Sequence, residues 1–258
     1  MNNNKQLERY RYFLKDYLRL ETDFSTTDQN RGKPPPPVEK EINPDSRVIS
    51  LPSPDEGDGV HNKGIIEAIK NRKSHRRFSK KPLSLKQLSF LLWATQGVRQ
   101  IKGSTVLRNV PSAGNRHPLE TYICALNITG LVPGIYLYRP LEHELRVVNT
   151  AEPENLATEI ELATLGQAFI GTAAVVLIWT AVCYRTEWRY GKASHKVIAL
   201  DAGHACQSLY LAVSAIGGGT CAIAAYNQDL ANQLIGVDGK EEFVIYLAPV
   251  GLIDKQET

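Results

Sequence analysis

Three short segments of the sequence carry residue types that could bind a ligand, and the first spans residues 72–78. It gathers arginine, lysine and histidine side chains around Ser74 at the expected end of a helix. Arginine offers a planar fork of donors that matches phosphate oxygens, and serine adds a short hydroxyl donor. Because a hydrogen bond to a charged group contributes about 1.5–3 kcal/mol, two or three would anchor a phosphate monoester. The alternative interpretation is a solvated basic turn.

The second segment, residues 111–118, precedes an expected strand. Its two prolines and one glycine favour a fixed loop with exposed backbone amides. Such a loop can lie against a planar ring and donate hydrogen bonds to it. An ordinary turn before a strand would have a similar composition, so this alternative stays open.

The third segment, residues 217–226, begins with three glycines after a long expected helix. It is neither a dinucleotide fingerprint nor a P-loop, because the spacing differs and the segment follows a helix instead of a strand. A helix stop explains the glycines fully. The small residues that follow them would also let a flat ligand lie close to the backbone.

Helices and strands must position these segments. Apolar periodicity predicts helices over residues 64–72, 84–95, 156–169 and 196–215. Apolar runs rich in β-branched residues predict strands over residues 121–126, 134–138, 145–148, 173–180 and 243–250. Since the two kinds of element interleave, the fold class is α/β or α+β.

The first 61 residues differ from the rest. They combine an expected amphipathic helix with four consecutive prolines, Pro34 to Pro37, which favour extended geometry. We interpret residues 1–61 as an N-terminal arm and linker, and residues 62–258 as the main domain. The arm either wraps a partner surface or is partly disordered, and an ordinary flexible tail is an equal alternative.

The overall composition excludes several classes of protein. The 258 residues carry a net charge of +3, which is too mild for a nucleic-acid or membrane-surface protein. With no apolar leader and no apolar run long enough to span a bilayer, we expect a cytoplasmic location. The four cysteines form no Cys-x-x-Cys pair, which favours buried thiols in a reducing compartment, and we expect no metal site.

Taken together, the three segments resemble the nitroreductase-like FMN superfamily, and more narrowly its SagB-type dehydrogenase branch, whose best-known members oxidise thiazolines and oxazolines in peptides. The resemblance extends from about Asn62 to Gly251. It implies an α+β sandwich with a mixed central sheet flanked by helices. It also implies an intertwined homodimer, with the helix at residues 196–215 in the interface and two FMN sites between the subunits.

The family motifs imply three sets of cofactor-binding residues. Those holding the FMN phosphate and ribityl chain would be Arg72, Lys73, Ser74 and Arg76. Those facing the isoalloxazine from the second subunit would be Pro111, Ser112, Ala113, Gly114 and His117. Those whose amides address the ring nitrogen that accepts hydride, and its neighbouring carbonyl, would be Ala224 and Ala225.

The sequence departs from the family patterns at two places. Many nitroreductases carry a late Lys/Arg pair on the phosphate, whereas only Lys255 follows Gly251 here. Azoline-oxidising members carry a catalytic Lys-Tyr pair, which reads Arg189-Tyr190 in this chain. Arginine is a poor general base because it stays protonated. Tyr190 could still act as an acid or orient substrate, and the alternative is an aromatic residue in a surface loop.

These expectations favour an FMN-dependent oxidoreductase that transfers hydride between flavin and a small molecule or peptide azoline. One alternative is an NAD(P)H-dependent reductase of nitro compounds or quinones. Another is a non-catalytic flavin-binding or scaffold subunit. The expected partners are a second copy of the chain and the substrate, with neither nucleic acid nor a membrane.

Overall fold

The computed structural model describes residues 3–55, 57, 59–103 and 105–254. The helices are α1 (Asn3–Leu14), α2 (Tyr17–Leu20), α3 (Ile65–Asn71), α4 (Leu85–Gln96), α5 (Pro153–Ala163), α6 (Tyr184–Tyr190), α7 (Ser194–Ala212) and α8 (Gln228–Ile235). The strands are β1 (Val48–Ser50), β2 (Leu83–Ser84), β3 (Val98–Lys102), β4 (Thr105–Arg108), β5 (Leu119–Ala125), β6 (Ile128–Thr129), β7 (Gly134–Arg139), β8 (Glu144–Thr150), β9 (Val175–Val182), β10 (Gly218–Thr220) and β11 (Glu242–Leu252).

The central sheet has seven strands in the order β1-β8-β7-β5-β9-β11-β10. The α+β class is confirmed, but the expectation of a mixed sheet is wrong for this chain, because every neighbouring pair is antiparallel. For β5, β7 and β8 the reason is connectivity, because the segments that join β5 to β7 and β7 to β8 are too short for the crossover that parallel neighbours need. The parallel pair formed by β2 and β6 lies outside this sheet.

Helices cover both faces of the sheet, which buries every residue of β5 and all but the last residue of β9. On β5, Ile123 faces a core shared with α4 and α7, whereas Tyr122 and Cys124 face a core shared with α5 and α8. Strand β9 alternates in the same way, with Leu177 on the first side and Val176 on the second. Side chains alternate along a strand, so burial on both faces favours a mostly apolar run. The buried polar side chains of Glu120 and Thr180 have hydrogen-bond partners, Arg185 and Glu242.

Most helix predictions are confirmed, with changes at the ends. Ser84 caps α4 through a capping box with Gln87, as its position suggested. Helix α5 ends at Ala163 and not at residue 169, because Leu165 and Gly166 adopt positive φ angles of 59° and 77°. Helix α7 ends at Ala212 and continues as a 3-10 turn to Ile216, where Gly217 adopts the left-handed conformation. The sequence reading missed α6 and α8.

The N-terminal arm packs on its own chain. Strand β1 pairs with β8 at the edge of the sheet. The Glu39 carboxylate lies 2.7 Å from the Arg139 guanidinium, and the Lys40 amide donates to Glu120 at 2.7 Å. Residues 38–50 therefore contact the body of their own chain at these points, and a role of the arm in covering a partner stays a prediction. The division at residue 61 stays a prediction.

Two further findings concern the described part of the chain. All four cysteines are free thiols, and Cys124, Cys206 and Cys221 are buried. None of the described helices combines the length and apolar character needed to cross a membrane.

Candidate functional site

The basic segment leaves α3 at Arg72 and runs extended beside β10. Ser74 forms a parallel bridge with Thr220, and the His75 amide donates to the Thr220 carbonyl at 2.9 Å. His75 is buried against Gly219, where an added Cβ would lie 2.6 Å from the imidazole Cγ. The absence of a side chain at Gly219 therefore leaves room for the His75 imidazole. In an extended segment, the side chains of Ser74 and Arg76 lie on the face opposite His75.

Tyr210 on α7 connects the basic segment to the segment after the glycines. Its hydroxyl lies 2.9 Å from Ser74 Oγ, and it accepts the Ala222 amide at 2.9 Å. The Arg72 guanidinium lies over the Tyr210 ring, 5.3 Å from the centroid. We call Arg72, Ser74, Tyr210 and Ala222 the basic cluster. Sequence reasoning missed Tyr210, although a tyrosine on a helix of small residues signals a hydroxyl that needs a partner.

The other expected phosphate ligands lie beside this cluster at the surface. The guanidinium of Arg76 lies 5.9 Å from the ring centroid of Phe169, and both Arg76 and Lys73 are exposed. Lys255 lies outside the described residues.

Ala224 and Ala225 present free amides next to the basic cluster. The Ile223 amide and carbonyl exchange hydrogen bonds with Leu247 at 2.8 and 3.1 Å, which fixes this segment along β11. The Ala225 carbonyl accepts from the Gln167 side chain at 3.0 Å. Both alanines are exposed, and within the described residues neither amide has a hydrogen-bond acceptor. Two donors are therefore available to a ligand.

The loop at residues 111–118 is held by α7. Ser112 Oγ donates to the Asp201 carboxylate at 2.6 Å, and the Ala113 amide donates to it at 3.1 Å. The His117 amide in turn donates to Ser112 Oγ at 2.9 Å. Asp201 is buried, and this desolvation raises its pKa although both hydrogen bonds act in the opposite direction. A partnered buried acid explains why a charged residue occurs on this face of α7.

The His117 side chain is turned into the loop. It is only 3% exposed, and its Nε2 lies 2.8 Å from Asn115 Oδ1. Burial, together with the charge of Arg108, lowers the pKa of His117 to about 3. The imidazole is therefore neutral and occupied with the loop. Pro111 and Gly114 remain exposed, and Ser112 and Ala113 are half-buried.

Arg189 and Tyr190 contact this loop at Gly114. Gly114 has a φ of +58°, and an added Cβ would lie 2.5 Å from the Tyr190 hydroxyl and 2.8 Å from Arg189 Cδ. The Tyr190 ring also has the Arg19 guanidinium 5.7 Å from its centroid. Tyr190 is half-buried and is the last residue of α6. It therefore does not lie in a surface loop, which was the alternative interpretation. We call Ser112, Gly114, Arg189 and Tyr190 the loop cluster.

A buried ion pair sets the position of α6. The Arg185 guanidinium pairs with the Glu120 carboxylate on β5, and these side chains are 2% and 1% exposed. Arg185 also donates to the His117 carbonyl at 3.3 Å. One residue of α6 thus fixes the helix to both the sheet and the loop. The sequence gives no signal for this pair, because its members are 65 residues apart.

Within one chain the two clusters lie on different sides of α7. Asp201 holds the loop cluster and Tyr210 belongs to the basic cluster, nine positions further along the helix. Nine residues correspond to about 14 Å of axial rise and two and a half turns. The residues expected to bind the phosphate therefore lie close to Ala224 and Ala225. Ser112 and Tyr190 lie together elsewhere, and within one chain the two groups are not in contact.

Comparison with known proteins identifies the family of this chain. The model of the nitroreductase family matches residues 69–252, so the chain belongs to the nitroreductase family. This confirms the resemblance at the level of the family and of the fold. Across 188 residues the chain is 32% identical to protein MJ1384 of Methanocaldococcus jannaschii, which carries a provisional nitroreductase name. That match covers 72% of this chain and 90% of the relative.

Other similarities are more partial. The chain is 28% identical over 117 residues to the trifolitoxin-processing protein TfxB of Rhizobium leguminosarum bv. trifolii, covering 45% of this chain and 31% of TfxB. A provisionally named nitroreductase structure from Anabaena variabilis superposes with a TM-score of 0.67 at 27% identity, over 82% of this chain and 42% of that one. A chain of the E. coli microcin synthetase McbBCD complex shares the fold, with a TM-score of 0.60 at 18% identity over 84% of this chain and 79% of its own.

No candidate metal centre accompanies these clusters. Across the described ranges, no group of three or more histidine, cysteine, aspartate or glutamate residues is arranged to hold a metal ion.

Proposed function

We propose that this member of the nitroreductase family is an FMN-dependent oxidoreductase acting on a small molecule or a peptide. The observation that carries the proposal is the basic cluster, in which Tyr210 joins Arg72 and Ser74 to the backbone that leads to Ala224. Cationic and hydroxyl donors suit a phosphate monoester. Free backbone amides suit the acceptor atoms at the edge of a flavin ring.

The residues present fit FMN as a resident cofactor. Arg72, Ser74 and Arg76, with Lys73, would hold its phosphate and ribityl chain, and the amides of Ala224 and Ala225 would hold the ring edge. When bound, FMN supplies the exchange of hydride or single electrons with the substrate. The protein's part is to orient the ring and to fix donors around it.

We further propose that the site is completed by a second copy of the chain. The loop cluster lies on the other side of α7 from the basic cluster, so a partner's loop at residues 111–118 would supply the second wall. Helix α3, which leads directly into Arg72, exposes Ile65, Ile66 and Ile69 by 61%, 80% and 60%. Large exposed apolar side chains of this kind mark interaction surfaces. Ile65 also lines a groove of about 740 Å³ between α3, α4 and α7.

For the substrate, we propose a heterocycle-containing peptide, as in SagB-type dehydrogenases. The partial similarity to a trifolitoxin-processing protein and the fold shared with a microcin synthetase chain support this choice. Tyr190 would be the acid or the orienting group, since it lies half-buried against Gly114. Its neighbour Arg189 would act through charge, because a guanidinium does not release its proton.

The second candidate is an NAD(P)H-dependent reductase of nitro compounds or quinones. The arginine at position 189 favours it, because reduction of this kind needs no general base from the protein. Similarity to MJ1384 supports it as well.

Spectra and rapid kinetics test these proposals. We expect the purified protein to show the near-ultraviolet and blue absorption of flavin, and its absence after reconstitution with FMN would refute the assignment. Bleaching by an azoline peptide, slowed about 10²–10⁴-fold by Tyr190→Phe, is expected for the dehydrogenase. Bleaching by NADH or NADPH that is indifferent to Tyr190→Phe would support the reductase. A bound flavin that neither donor bleaches would indicate a scaffold subunit.

A further inference from the structure

The hydroxyl of Tyr210 occupies the junction between the two segments proposed to hold FMN. We propose that Tyr210 is a positioning residue that directs the Ser74 hydroxyl toward the FMN phosphate. This inference rests on the proposed function and adds to it a residue that does not contact the ligand itself and whose hydroxyl acts through Ser74.

The directions of the two hydrogen bonds at the Tyr210 hydroxyl decide where the Ser74 hydrogen points. The phenolic oxygen accepts the Ala222 N–H at 2.9 Å, and it lies 2.9 Å from Ser74 Oγ. A phenol has one hydrogen to donate. Donating it to Ser74 Oγ leaves the hydrogen of the serine hydroxyl free to point outward. In the opposite direction the serine hydroxyl donates its hydrogen to Tyr210, and none is left for a ligand.

An anion selects between these two directions. Phosphate oxygens bound to Ser74 can only accept, so the serine must donate outward and must receive its inner hydrogen bond from Tyr210. The three groups then form a chain from the Ala222 amide through Tyr210 to Ser74, and each bond in such a chain polarises the next. Ser74 is exposed, so its outer side is open to the ligand.

The aromatic ring of Tyr210 makes a second contact with the proposed phosphate ligands. The Arg72 guanidinium lies over the Tyr210 ring at 5.3 Å, within the range of a cation–π contact. One side chain therefore orients both a hydroxyl donor and a charged donor. Tyr210→Phe separates these roles, because it removes the hydroxyl chain and keeps the ring beneath Arg72.

The test is a flavin titration of the full chain with FMN and with riboflavin, which lacks the phosphate. The unaltered protein should prefer FMN. Tyr210→Phe should lower the ratio of FMN to riboflavin affinity by up to about tenfold, the upper limit for the loss of one hydrogen bond between neutral groups. Tyr138→Phe is the matched control, because its hydroxyl also has a side-chain partner at 2.9 Å, His143, and lies outside the basic cluster. It should leave the ratio unchanged.

A double-mutant cycle identifies the route of the effect. If Tyr210 acts through Ser74, the ratio in Ser74→Ala/Tyr210→Phe should fall no further than in Ser74→Ala alone. Retained riboflavin binding in each variant reports that the protein is folded. An unchanged ratio in Tyr210→Phe, or losses that add in the double variant, would overturn the inference while leaving the proposed function standing. An unaltered protein that binds neither flavin would overturn both.

Discussion

Single residues of the loop at residues 111–118 show how burial and backbone geometry fix its conformation. His117 is neutral because it is buried near Arg108 and Arg185, and it supports the loop from within. Gly114 has a positive φ and is pressed by two side chains of α6. The lowered pKa of His117 and the crowding at Gly114 cannot be deduced from the residue types alone. Both can be tested by measurements on the purified protein.

The pKa of His117 predicts acid sensitivity. The folded protein holds this pKa at about 3, below the ordinary value of 6.5. As pH falls below 6.5, the unfolded chain therefore binds a proton that the folded chain refuses. The free energy of unfolding should decrease by about 1.4 kcal/mol for each pH unit between roughly 6 and 4 through this residue.

Urea unfolding at pH 7.5 and pH 5 measures this effect. His117→Gln should show a smaller loss between the two pH values than the unaltered protein, even if it is less stable at both. The exposed His195 provides the control, since His195→Gln should keep the full loss. Equal pH dependence in His117→Gln and the unaltered protein would contradict the assignment.

Gly114→Ala should destabilise the loop for two reasons, a left-handed backbone and a Cβ only 2.5 Å from the Tyr190 hydroxyl. Gly130→Ala separates them, because Gly130 also has a positive φ but no atom within 4 Å of the added Cβ. The backbone alone should cost about 1 kcal/mol in both variants, and Gly114→Ala should cost more. Thermal unfolding compares the two. A Gly114→Ala protein as stable as Gly130→Ala would show that Tyr190 and Arg189 move aside freely.

At the scale of elements, buried charges fasten the helix that carries Tyr190. Arg185 on α6 pairs with Glu120 on β5, and Glu120 also accepts the Lys40 amide of the arm. A single carboxylate thus joins α6, the sheet and the N-terminal arm. Such a pair adds specificity of position more than net stability, because desolvation offsets much of the attraction.

Breaking this pair should be costly. Glu120→Gln removes the charge and leaves the Arg185 guanidinium buried without a counter-ion, which should lower stability by roughly 3–5 kcal/mol. Glu67→Gln breaks the exposed pair with Lys63 and should cost less than about 1 kcal/mol. Hydrogen exchange should also show faster opening of residues 38–41 in Glu120→Gln alone. Similar losses for the two variants would show that the buried pair has no special role.

At the scale of the whole molecule, the proposed assembly rests on the two clusters and on the exposed isoleucines of α3. A single chain leaves the basic cluster open on its outer side, and the loop cluster cannot reach it around α7. A second copy would cover α3 and bring its own loop to the basic cluster. If the proposed dimer forms, cofactor binding and assembly should be linked, and FMN in excess should raise the stability of the assembled protein.

Ile66→Lys tests this link. The unaltered protein should scatter light as twice 28.7 kDa, and Ile66→Lys should shift it toward the monomer and weaken FMN binding together. Val132→Lys is the control, since Val132 is also an apolar side chain, 54% exposed, but lies in the turn before β7. A monomeric Ile66→Lys protein with undiminished FMN affinity would refute the shared site.

The sequence by itself determined the features that depend on near neighbours. Apolar periodicity located α4 and α7 and the doubly buried strands β5 and β9, because the burial of each residue follows the repeat of its own element. The order of the three motifs also predicted the family. The short helices α6 and α8 were not predicted, because each spans only about two turns and so few residues do not establish a period.

Only the tertiary structure decided which distant residues meet. Tyr210 joins Ser74 across 136 positions, and Lys40 of the arm joins Glu242 across 202. The order of the seven strands and the placement of the two clusters on different sides of α7 are likewise absent from any local pattern. Partners of this kind depend on how whole elements pack, and packing is settled by the burial of all the elements together, which no single stretch of sequence encodes.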